Sequence, residues 1–149
     1  MNIPDEIRRE MDFPLPVERV WQAVSTPEGL SKWFSDQVEQ DETGRELTLI
    51  WHEYGSHRAK VEAVEPPRRF AFRWGAHGYT PGEPFTAENS TLVTFFLQER
   101  EQGTRLTVLE TGFAGLAPEN RGASYENNTG GWETELAELQ AYLSAMEAA

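Results

Sequence analysis

The chain has 149 residues, no cysteine, and 13 basic against 25 acidic side chains, for a formal net charge of −12. That length suits one domain able to bury roughly 70% of its unfolded surface without staples. The missing cysteines exclude disulfides, thiolate catalysis and cysteine zinc sites, and the acidity disfavours nucleic acid and anionic membranes as partners.

Aromatic residues make up 11% of the chain, with five Trp and eight Phe, which acidic disordered chains lack. Met1 to Glu10 is charged and has no apolar core, so it does not read as a signal peptide. No apolar run approaches the ~20 residues needed to span a bilayer. A cytoplasmic location is expected.

The first element is a strand. Ile7, Arg9, Met11 and Phe13 share one face by period two, until Pro14 and Pro16 stop it. Val17, Val20, Trp21 and Val24 then form a helical stripe. Thr26-Pro27-Glu28 opens a second short helix with a cap, a proline and an acid in the right order; Leu30, Trp33 and Phe34 give its apolar face. Gln37 to Asp41 is a weak strand. In the next two strands Leu47, Leu49 and Trp51, then His57, Ala59, Val61 and Ala63, line up across the turn at Tyr54-Gly55-Ser56. Beyond Pro66-Pro67, Phe70, Phe72 and Trp74 share a face.

Gly75 to Asn89 is the longest loop, with three glycines, two prolines and His77, Tyr79 and Phe85 between them. Loops longer than about 12 residues in a compact domain are usually functional or disordered, and this one reads as a lid. Two more strands follow, with Val93, Phe95 and Leu97 inward on one and Leu106, Val108 and Glu110 inward on the other. After Pro118 the chain is helical. Trp132, Leu136, Leu139, Leu143 and Met146 form one stripe, and a helix break or fresh start is expected at Asn127 to Gly131. The order predicts an α+β fold: an antiparallel meander of about six or seven strands whose apolar face is covered by the C-terminal helix.

These residues in this order resemble a known family. Val17 to Trp21 after a strand, Thr26 to Phe34, Val61 to Pro67 with Arg69 to Trp74, Gly103 to Phe113, and Gly130-Gly131-Trp132 with Leu136, Leu139 and Tyr142 are similar to the START-like (SRPBCC, polyketide cyclase-like) superfamily. The branch is the one resembling the C-terminal domain of the Hsp-90 ATPase activator. The resemblance covers Ile7 to Met146. It implies a helix-grip fold with first and last strands adjacent and a cavity between sheet and helix. It implies no single activity, since the superfamily holds lipid and hormone binders as well as cyclases.

Trp33, Trp51, Phe72, Trp74, Phe95, Phe113 and Trp132 are the candidate ligand-binding aromatics, with core packing as the plainer role for each. Arg9 and Glu110 put charges on apolar strand faces and are expected to pair, either fixing register or facing the ligand as anchor or acid/base. His77 is the third, weaker catalytic candidate, and Tyr79 could donate to a ligand. His52, His57 and Glu53 do not amount to a metal site. No cofactor is expected; G-x-S-x-G and phosphate-loop motifs are absent. Ile50, Leu92, Phe96 and Leu109 point outward and suggest a possible homodimer face. The expected function is binding of a small hydrophobic or aromatic molecule. A cyclase-, aldol- or hydrolase-type enzyme and a co-chaperone-like interaction module are the alternatives.

Overall fold

The computed structural model describes residues 3–147. Its elements are β1 (Glu6–Phe13), α1 (Val17–Ser25), α2 (Pro27–Leu30), β2 (Gln37–Gln40), β3 (Glu46–Trp51), β4 (Gly55–Glu65), β5 (Arg69–Gly75), β6 (Ser90–Arg100), β7 (Gly103–Thr111), a 3₁₀ turn (Phe113–Gly115) and α3 (Pro118–Glu147). The seven strands form one antiparallel sheet in the order β1-β7-β6-β5-β4-β3-β2. From β2 to β7 each strand pairs antiparallel with the next in sequence, and β1 closes beside β7, as the family resemblance implies.

Period-two burial sets the inner face. On β7, Leu106, Val108 and Glu110 are buried while the residues between them are half-buried. On β6 and β5, Val93, Phe95, Leu97, Phe70 and Phe72 point the same way. The curved sheet wraps one side of α3, which contributes Trp132, Leu136, Leu139 and Leu143 to the core. These four stand at helical spacing, so one stripe of α3 meets the sheet. On the opposite sheet face Phe96 is 39% exposed, and Ile50, Leu92 and Leu109 are half-buried.

The expected break at Asn127 to Gly131 does not occur: α3 runs unbroken through Gly130 and Gly131. Two glycines in a helix interior cost about 2 kcal/mol relative to alanine. Tertiary contacts on either side offset this, because Asn128 and Trp132 are both anchored to the sheet.

Candidate functional site

The first wall of the site is set by a cap. Thr26 Oγ1 accepts the backbone N–H of Gly29 at 2.9 Å and starts α2. Gly29 lies so close to α1 that a Cβ there would stand 2.1 Å from the Gln22 carbonyl oxygen. Trp33 Nε1 donates to the Ala23 carbonyl at 2.8 Å, locking the turn after α2 against α1. Phe34 is thereby driven inward, where its ring stacks on Trp74 (centroids 5.7 Å apart) and on Trp132 (5.6 Å) and meets Trp51 edge-on (5.4 Å).

A cavity of about 620 Å³ opens between the β3–β5 end of the sheet and the middle of α3. Five aromatic side chains stand in its wall: Phe34, Trp51, Tyr54, Trp74 and Trp132. The α3 side supplies Asn127, Asn128, Gly130, Gly131, Thr134 and Glu135, and β4 supplies His57. A Cβ added at Gly130 or at Gly131 would meet nothing within 4 Å. No neighbouring atom requires glycine at either position; the pair leaves a gap without side chains in the α3 side of the cavity.

Glu110 sits behind this wall, 0% exposed, and does not itself line the cavity. Its Oε2 accepts hydrogen bonds from Trp74 Nε1 (2.9 Å), Thr91 Oγ1 (2.6 Å) and Asn128 Nδ2 (2.8 Å), and its Oε1 accepts from Trp132 Nε1 (2.8 Å). One carboxyl thus ties together β5, β6, β7 and α3 and orients two indoles of the cavity wall. Burial pushes its pKa up, while the four donors pull the other way.

The expected Arg9–Glu110 pair is not formed. Both lie on the inner face, but register sets Ile7 opposite Glu110 and Arg9 opposite Val108. Arg9 stays half-buried and donates to the carbonyl of Arg8 at 2.8 Å. Donors from α3 and the neighbouring strands occupy the carboxyl instead, so a guanidinium is not needed to compensate its burial.

A carboxyl, Glu135, and an imidazole, His57, do line the cavity. Burial raises the Glu135 carboxyl to about 7; the like charges of Glu138 and Asp36 add to this, and the Trp51 indole opposes it. The His57 ring is exposed at its rim but packs edge-on against Trp51 (5.4 Å), and its desolvated part lowers its pKa.

Of the aromatics read from the sequence, Trp51, Trp74 and Trp132 stand in the wall. Trp33, Phe72, Phe95 and Phe113 are buried in the packing behind it. Phe34, Tyr54, His57, Asn127, Asn128 and Glu135 join the site without a sequence signal of their own: Phe34 and Tyr54 lie in turns, and the others gain meaning only once α3 is docked. His77 is exposed and lines no part of the cavity. Its backbone N–H donates to Ser124 Oγ on α3 at 3.0 Å. Gly75, which the structure places at the end of β5, lines the cavity, and no residue of 76–89 does. Tyr79 and Phe85 stack on each other instead, and the Arg58 guanidinium lies 4.8 Å from the Phe85 ring centre. The loop is therefore anchored beside the cavity and is not laid over it. His52 contacts Asp36, and among the described residues no group of three or more His, Cys, Asp or Glu is placed to hold a metal.

No helix among the described residues is long and apolar enough to cross a membrane. No curated protein matches the chain. Solved structures do. Protein MLL2253 from Mesorhizobium loti is 23% identical with a TM-score of 0.74, over 94% of this chain and 97% of that one. Protein BH1534 from Bacillus halodurans is 28% identical with a TM-score of 0.68, over 95% and 97%. DynU16, described as a putative protein of the dynemicin biosynthetic locus, is 25% identical with a TM-score of 0.73; 95% of this chain covers 48% of that one. Residues 14–144 match the family described as Activator of Hsp90 ATPase homolog 1-like protein, and the chain belongs to that family, within the START-like superfamily.

Proposed function

We propose that this protein binds a small, largely apolar or aromatic molecule in the cavity between sheet and α3, and that it acts as a binder. The observation that carries this reading is the aromatic-lined cavity with a gap in its α3 side at Gly130 and Gly131. Its volume of about 620 Å³ falls within the range of small-molecule sites. Two helical glycines that lower stability and relieve no clash are consistent with space kept for a ligand. An interaction module of co-chaperone type would need no such space.

Binding is favoured over catalysis because the most deeply buried carboxyl, Glu110, is saturated by four protein donors. It has no free face to offer a substrate and serves as a positioning residue for Trp74 and Trp132. The direct test is native mass spectrometry of the protein purified from its own host, followed by denaturation. A small molecule released in stoichiometric amount is the expected result. A bare protein whose melting temperature also ignores a panel of lipids and aromatics would overturn the reading.

A further inference from the structure

We infer that the ligand of this cavity carries a positive charge, an ammonium or alkylated ammonium group attached to an apolar or aromatic body. The inference rests on the cavity being a ligand site. It adds the charge class of what enters.

The wall is aromatic, with Trp51 and Trp74 part-exposed in it and Phe34 and Trp132 packed against them. Phe34, Trp74 and Trp132 pack as a triangle, with ring centres 5.7, 5.6 and 6.3 Å apart, and Trp51 stands beside them with 6.4 Å between its ring centre and that of Trp74. Cations are held by aromatic faces, with tryptophan the strongest of them. The N–H groups of Trp74 and Trp132 are already committed to Glu110, so neither indole can donate to an anion. An acceptor on the N–H also polarises the ring and enriches its face.

The charged lining points the same way. No lysine or arginine lines the cavity, whereas Glu135 does, and Glu135 has no salt-bridge partner among the described residues. Asp36, which precedes β2, and Glu138, one turn further along α3, add negative potential at Glu135. A ligand carboxylate or phosphate would meet this field with no cation to compensate it. A ligand cation would lie between the aromatic wall and one carboxylate, a pairing of the kind that recognises quaternary ammonium groups.

The probes are benzyltrimethylammonium, its uncharged carbon isostere neopentylbenzene, and phenylacetate as the anion. They are titrated into the full chain at pH 8 by calorimetry and tryptophan fluorescence. The cation is expected to bind about tenfold more tightly than the isostere, and phenylacetate more weakly than both. Glu135→Gln, checked for an unchanged circular dichroism spectrum, should abolish most of the cation's advantage and leave the isostere's affinity as it was. In the wild type the cation's affinity should rise as pH passes upward through about 7, where Glu135 ionises. His57 faces the same space and loses any positive charge in the same direction; the pH dependence left in Glu135→Gln is its share. Equal affinity for cation and isostere, or a preference for phenylacetate, would overturn this inference and leave the cavity reading intact. Failure of all three probes to bind would count against both.

Discussion

Replacing Glu110 by glutamine keeps the shape of the side chain and turns one of its two oxygens into a donor. The best orientation keeps the amide oxygen where Oε2 now meets Trp74, Thr91 and Asn128. The amide nitrogen then faces Trp132 Nε1, now 2.8 Å from Oε1, and two buried N–H groups confront each other. Each buried donor without a partner costs about 1–3 kcal/mol, and relief of the carboxylate's desolvation offsets part of that. A net loss of about 2–3 kcal/mol is expected. For a chain of this length that is roughly 5–10 °C in melting temperature. Chemical denaturation gives the free energy, and near-ultraviolet circular dichroism reports the reorientation of Trp74 and Trp132. A variant within about 0.5 kcal/mol of the wild type and with an unchanged aromatic spectrum would refute the reasoning. It would mean that Glu110 is protonated in the folded chain, already presents one donor, and does not hold the network as a four-fold acceptor.

Glu135 gives a pH-dependent signature. Its folded pKa of about 7 lies above the ordinary 4.5, so between those values the folded state binds the proton more tightly than the unfolded one. Its contribution to stability is therefore present below about 4.5 and lost as pH rises through about 7. Glu135→Gln should match the wild type near pH 5 and exceed it at pH 8 by on the order of 1 kcal/mol after allowance for solvent screening, as read from urea midpoints. Gly131→Ala should stabilise the protein by about 0.4–1 kcal/mol, because helix formation gains and no clash follows, while weakening retention of any co-purifying molecule. Thr26→Ala removes the hydrogen bond to the Gly29 N–H and should cost about 0.5–2 kcal/mol. It should also loosen Phe34, seen as altered tryptophan emission.

The strands and helices were legible in the sequence because each has its own period. Alternation in β1, β5, β6 and β7 chose the inner face, including that of Glu110, and the stripe from Trp132 to Leu143 marked the face of α3 that docks. The family was legible as well, since its segments recur in order along the chain. The site was only partly so. Trp51, Trp74 and Trp132 could be picked out as bulky aromatics on inward faces, but alternation says nothing about which of seven such rings packs and which borders open space.

Two elements show what only the tertiary structure decided. Gly130 and Gly131 read locally as a break, yet α3 continues, because Asn128 and Trp132 on either side are held by one carboxyl on β7. Glu110 read locally as a charge in want of a cation. Its donors instead lie 36 positions before it, 19 before it, and 18 and 22 after it, on three other elements. Local sequence fixes which face a side chain occupies through the backbone period. The partner it finds there, and the space left beside it, depend on how the curved sheet and α3 meet, which no local period encodes.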